Sequence, residues 1–335
     1  MANIKKTVYA NFASNPRLTP IKIDEDITLD SIDPSKGYKY IGFYTFPTND
    51  MTVIIQRNID KRMVDFSKFH AWLAVNESTP IDTKLLVYDS CVIGAILNSA
   101  EAWGDVKCVE TILIEKELNA LRAILCVKKG TTIDIIYHEL NRCSIMSTIL
   151  DRQHSFFDKL SQMSSDDAIV KLVMEMFDDA SMLTYYKNLQ GNYSTREKEE
   201  REQRIRTSEY SMCKRYCDLD CISESQINNS MLTDYYRTPI SRWRLSNHRL
   251  QIEVGRYTKP KTPRIDRVCS MCNVLEDEQH AVYVCPRYQE LREKYKHLVE
   301  HIDIKRFLNP DYHKITDTAK FIRDIESRRV ELKLT

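Results

Sequence analysis

Residues 269–285 read CSMCNVLEDEQHAVYVC. Two cysteines separated by two residues can pinch a metal ion from one tight turn, and a histidine and a third cysteine five positions apart can close on it from about one helical turn away. Cys269, Cys272, His280 and Cys285 therefore carry the ligand inventory of a tetrahedral zinc site, all within 17 residues. Three thiolates and one imidazole leave no open position for water. The expected zinc is thus structural, contributing on the order of 10 kcal/mol to the folding of a small module. Glu276, Asp277 and Glu278, between the two ligand pairs, read as supporting or surface groups.

Immediately upstream, residues 237–267 hold nine Lys or Arg against Glu253 and Asp266, a local excess hidden in a chain whose formal net charge is +1. Tyr235, Tyr236, Trp243, Tyr257, Tyr283 and Tyr288 interleave with or follow these cations. Cations at this density neutralise phosphates and release counterions, while aromatic faces stack on unpaired bases. Arg242, Trp243, Arg244, Arg249, Arg256, Tyr257, Lys259, Lys261, Arg264 and Arg267 are accordingly the expected contacts to RNA or DNA, as a single strand or a primer-template.

Further out, composition sets the class. The 335 residues exceed what one core usually organises, 42% apolar content suits a folded protein, and 7 Gly with 10 Pro leave little room for low-complexity linkers. No stretch approaches the ~20 apolar residues of a membrane span, and the start lacks a secretory core, so an intracellular, membrane-free protein is expected. Ten Cys in such a chain read as thiols or metal ligands.

Periodicity predicts an α+β fold, mainly α. Residues 1–55 read as a small β-rich unit, with Val8, Tyr9, Ile21, Ile23, Ile27, Leu29 and the run Tyr40, Ile41, Gly42, Phe43 in strands. From Val53 the spacing turns helical, Ile55, Ile59, Met63, Phe66 and Phe69 recurring at three- and four-residue steps. Thr79 and Pro80 open a further helix through Lys84, Tyr88 and Val92. A helical domain over 56–195 is followed by a charged helix or linker over 196–235. The charge run REKEEREQRIR, residues 196–206, reads there as a solvated face. Next come a basic zinc-binding module over 236–290 and a helical tail over 291–335, whose Ala319, Phe321, Ile322 and Ile325 share one face. Cys213, Cys217 and Cys221 stack on one helical face and read as a buried thiol stripe. His70, His138 and His154 read as packing or surface residues.

Several of these residues resemble the C-terminal part of LINE-type (non-LTR) retrotransposon reverse transcriptases. Leu245, His248, Leu250, Ile252, Glu253, Gly255, Arg256 and Tyr257, followed by the Cys-Cys-His-Cys pattern, are similar to that family's zinc-binding tail. Asn3, Lys6 and Thr7 resemble its Asn-x-x-Lys-Thr motif, and Tyr40, Gly42 and Phe43 its primer-grip hairpin. Glu101 and Trp103 resemble the end of its thumb segment, although Asn98 and Ser99 stand where Tyr and Gly are usual. The resemblance implies an end-of-palm remnant, a helical thumb bundle, a zinc module and a C-terminal helix. Its parent would be an RNA-directed DNA polymerase, within which this segment grips template. The aromatic-x-Asp-Asp hairpin of that family is absent ahead of Asn3, so the two-metal clamp on the triphosphate is not expected here. Asp178 and Asp179 sit on a helical flank, and Pro310, Asp311 and Asp324 read as a loop and a terminal helix. The chain alone is therefore expected to bind nucleic acid without being an enzyme. The alternative from another class is a host nucleic-acid-binding or interaction protein derived from such an element.

Overall fold

Residues 8–9, 20–24, 27–33, 35–40, 43–46, 48, 50–163, 180–223, 233–300 and 302–334 are described by a computed structural model. It is mainly helical with a little sheet, the α+β class expected. The strands are β1 Val8–Tyr9, β2 Ile21–Asp24, β3 Ile27–Ser31, β4 Tyr38–Tyr40 and β5 Phe43–Thr45. The helices used below are α1 Met51–Val75, α2 Ile81–Tyr88, α3 Lys107–Leu125, α4 Ile133–Glu139, α5 Ile145–Gln162, α6 Ala180–Lys187, α7 Tyr193–Thr207, α8 Ser211–Asp218, α9 Asp234–Arg244, α10 Gln251–Val254, α11 Gln289–Lys294, α12 Lys296–Val299, α13 Ile304–Leu308 and α14 Tyr312–Glu331.

The chain divides into two compact units: Met1–Phe69, Tyr88–Lys116 and Ile145–Tyr193 form the first, and His70–Val87, Glu117–Ser144 and Ser194–Thr335 the second. The break at 193/194 falls where the charge run begins. The second unit also takes two segments, His70–Val87 and Glu117–Ser144, of the stretch read as a 56–195 domain.

In the first unit β1 runs parallel to β3, β3 is antiparallel to β2, and β4 pairs antiparallel with β5. Tyr40 faces Phe43 across this last ladder, the hairpin expected there. Asn3, Lys6, Thr7 and Gly42 lie outside the described residues, as do Asp178 and Asp179. Ile55, Ile59, Phe66 and Phe69 of α1 are buried, as their spacing predicts, and Tyr88 packs 5.2 Å from the Phe69 ring. Trp103 is buried, and Glu101 meets Arg152 of α5 at 3.3 Å. Gly104 takes φ 71, a left-handed turn that ends this segment. Its amide donates to Tyr186 Oη of α6 at 3.1 Å, and its carbonyl accepts from Gln153 Nε2 at 2.9 Å. Both backbone polar groups of Gly104 are thereby matched to side chains from helices packed on it.

In the second unit α9 and α14 form the main helix pair. Trp243, Phe321, Ile322 and Ile325 are fully buried, and Phe321 stacks on Tyr295 at 5.2 Å between centroids. The charge run is a helix, α7, but not a uniformly solvated one: Arg201 and Ile205 are buried on one stripe. Arg201 lies over the Tyr137 ring at 4.8 Å and meets Glu197 at 2.5 Å. An arginine can be sunk there because its charge is paired and its planar face stacks on a ring. No described helix is long and apolar enough to cross a membrane.

Candidate metal centre and the basic surface beside it

The Cys-x-x-Cys pair sits on a small hairpin knuckle. Val268 and Leu275 form an antiparallel bridge, Cys269 N donates to Val274 O at 2.8 Å, and Asn273 N donates to Cys269 O at 2.8 Å. Asn273 takes φ 54, a left-handed position that asparagine tolerates better than most residues. The other two ligands bracket the wide helical turn His280–Val284, whose entry is fixed by Asp277 Oδ1 accepting from His280 N at 2.9 Å.

These elements bring the ligand atoms of Cys269, Cys272, His280 and Cys285 within 4.8 Å of one another. The Sγ atoms of Cys269 and Cys285 are 3.9 Å apart, and those of Cys272 and Cys285 are 3.8 Å apart. A tetrahedron of sulfurs at the zinc-thiolate distance of about 2.3 Å has an edge of about 3.8 Å, whereas a disulfide would need about 2 Å. All three cysteines are free thiols, and His280 Nε2 is buried without a hydrogen-bond partner. A buried acceptor nitrogen aimed at no donor is costly unless a cation takes it. Burial, with the Cys269 sulfur beside it, pushes the Cys285 thiol up to about 12. Burial would also raise Cys269, but the backbone amides of Met271 and Cys272 aimed at its sulfur outweigh that and hold it below its usual value. Three thiolates can coexist in this space only around a cation. The four residues can hold a metal ion, and among the described residues theirs is the one such cluster.

The acidic loop between the ligand pairs anchors the site. Glu278 is fully buried, with Oε1 3.0 Å from His248 Nε2 and Oε2 on Arg215 of α8. Burial would raise its carboxyl, yet His248 and Arg215 outweigh burial and hold it at about 2. Glu276 accepts from Arg329 Nη1 of α14 at 2.5 Å and from Gln251 N of α10 at 2.9 Å. Both glutamates are supporting groups, as the sequence suggests, and they bind the knuckle to three helices.

The expected nucleic-acid contacts separate into two sets. Trp243 and Arg244 are 0% exposed, so neither can meet a base or a phosphate in this fold. Arg244 is clamped by Glu139, and Trp243 packs 5.4 Å from the His248 ring. These two assignments are corrected: alternation of basic and aromatic residues also fits a helix whose long side chains line a core. Arg256 pairs with Glu253 at 2.9 Å, and Arg267 donates to Thr262 O at 2.9 Å and Ile252 O at 3.0 Å. Half-buried Arg242 donates to Cys126 O at 3.2 Å. Arg249, Tyr257, Lys259, Lys261 and Arg264 are exposed.

Tyr257, Arg256, Lys261, Arg264 and Arg267 line a cleft of about 490 Å³ with Tyr210, Lys214 and Arg215. Tyr210 is 72% exposed and Tyr257 59%. Asp218 is the one carboxylate among the described lining residues. Tyr210 and Lys214 were not anticipated: they lie far from the basic run in sequence, and an isolated tyrosine ahead of a short helix carries no signal. The thiols of Cys213 and Cys221 are buried and that of Cys217 half-buried, and burial raises all three, but α8 ends at Asp218, so Cys221 lies past the helix and does not share the face of the other two. Asp324 is engaged by Lys294 Nζ at 2.7 Å and Tyr295 Oη at 2.9 Å.

Fold and site together define a class: a mainly helical protein with a three-cysteine, one-histidine cluster able to hold a metal ion, beside a basic, tyrosine-bearing cleft. No family model matches the chain, and no curated protein and no solved structure matches it.

Proposed function

We propose that the chain binds single-stranded RNA or DNA in the cleft between Tyr210 and Tyr257, and that a structural zinc on Cys269, Cys272, His280 and Cys285 holds the wall of that cleft in place. The observation that carries this reading is the cleft itself: two exposed phenol rings offer stacking faces, and Lys261, Arg264 and Arg267 line it beside Lys214, Arg215 and Arg256, whose charges are met by Glu209, Glu278 and Glu253. Stacking on an exposed ring is sequence-tolerant, because every base has a π-face, and the cations track the backbone.

We further propose that the chain corresponds to the C-terminal part of a LINE-type reverse transcriptase, there gripping template, and that alone it extends no primer. Support comes from what the resembling residues do. His248 holds Glu278, Glu253 meets Arg256, and a Cβ on Gly255 would lie 2.6 Å from Arg267 Cγ. They build the join between α10 and the metal knuckle, which gives their pattern a physical reason.

Fluorescence anisotropy with labelled oligouridylate and with a duplex of the same length tests the binding. Single strands should bind tighter, and Tyr257→Ala should weaken them by ~1 to 3 kcal/mol. Unchanged affinity in Tyr210→Ala/Tyr257→Ala would overturn the reading.

A further inference from the structure

Most arginines that build the second unit are matched by carboxylates: Arg237 by Asp234, Arg244 by Glu139, Arg256 by Glu253 and Arg329 by Glu276. A second cleft of the same unit, about 540 Å³, breaks that pattern. It is lined by Lys128, by Arg242 of α9, by Arg249, and by Arg323 and Ser327 of α14, with Glu326 as the one carboxylate among the described lining residues. The bonds that fix two of these cations go to uncharged oxygens: Arg242 Nε to Cys126 O at 3.2 Å, and Arg323 Nη1 to Tyr235 O at 2.8 Å. The Arg323 guanidinium also lies 3.7 Å from the Tyr235 ring centroid. Its fork is thus preorganised, and no described carboxylate lies within ion-pair distance of it.

Fixed guanidinium forks converging on an open volume are suited to bidentate recognition of phosphate oxygens. No phenyl, phenol or indole ring is among the described lining residues, and the one aromatic there, the His248 imidazole, is buried on Glu278 and against Trp243. The Tyr257 cleft differs from it on that point.

We propose that this cleft is a distinct binding site for the phosphate groups of a phosphate ester or polyphosphate, selecting charge and not base. It does not rest on the reading of the tyrosine-bearing cleft. Two sources share this chemistry, the phosphodiester backbone of a nucleic acid and a free polyphosphate. Calorimetric titration of the full chain with an abasic phosphodiester oligomer, and separately with inorganic tripolyphosphate, tells them apart. Saturable binding of at least one is expected. It should weaken about tenfold or more in Arg249→Ala/Arg323→Ala, and less in Lys261→Ala/Arg264→Ala, whose residues line the other cleft. Lys128→Glu, at an exposed position, serves as a second variant should the double variant not fold. Binding of the oligomer alone assigns the site to the backbone, and binding of tripolyphosphate assigns it to a free ligand. Absence of saturable binding, or equal loss in the two double variants together with unchanged binding in Lys128→Glu, would overturn the proposal.

Discussion

Arg244 and Glu139 meet with both side chains fully buried, Arg244 Nε 2.7 Å from Glu139 Oε1 and Nη2 3.0 Å from Oε2. Tyr216 Oη donates to the same carboxylate at 2.5 Å, and Arg244 also donates to the backbone carbonyl of Cys221 at 3.1 Å. The pair links α9 to α4 through a network in which each charge has several partners. Removing one member leaves the other desolvated without its counter-charge.

Arg244→Ala is therefore expected to lower the unfolding free energy by ~3 to 5 kcal/mol, and Arg264→Ala, at the exposed rim of the cleft, by less than ~0.5 kcal/mol. Urea denaturation measures both. Near-neutral stability of Arg244→Ala, with reduced nucleic-acid affinity, would restore Arg244 as a ligand contact.

Zinc content separates the metal centre from a mere cluster of thiols. The purified chain should carry about one zinc, lost in Cys272→Ser, and chelation should lower the melting temperature of the native chain but not of that variant. Equal zinc in the two proteins would remove the site.

Glu253 gives the stability a pH dependence of known sign. Burial raises its carboxyl from 4.5 to about 7, against the opposing charges of His248 and Arg256. A folded-state value above the unfolded one means a contribution present below about pH 4.5 and lost as pH rises through about 7. Glu253→Gln abolishes that titration. Its stability relative to the native chain should rise by about 3 kcal/mol between pH 4.5 and pH 8, read from urea midpoints. A difference that does not change with pH would show that Glu253 is ionised in the folded protein throughout.

Lys261 and Arg264 should act on nucleic acid through charge alone. If each neutralises one phosphate of a single strand, Lys261→Ala/Arg264→Ala should flatten the slope of log affinity against log salt by about 1.4. Tyr257→Ala should weaken binding and leave the slope in place. A slope unchanged in the double variant would mark the pair as solvated surface.

The four residues able to hold a metal ion were legible because their chemistry is local: the knuckle, the acidic loop and the closing helical turn lie in one short stretch, and residue type with spacing suffices to set them around one point. The strands up to Thr45, the apolar stripe of α1 and the buried face of α14 were legible for the same reason, since hydrophobic periodicity is a property of a single element. The α+β, mainly helical class followed from these.

What composition could not decide was which charges are sunk and which are displayed. Arg244 and Arg264 belong to one basic run, yet the first is matched by Glu139, more than a hundred positions earlier, and the second faces solvent. Arg201 within a run of charges is buried because Tyr137 offers it a ring and Glu197 a carboxylate. Tyr210 joins Tyr257 in one cleft only because α8 packs beside the loop that enters the metal knuckle. The sequence by itself determined the local chemistry, the ligands and the apolar faces. Tertiary structure decided which cations are sunk and which remain free to meet a ligand, because a charge is buried only where the fold surrounds it with partners, as Glu139 from a distant segment does for Arg244.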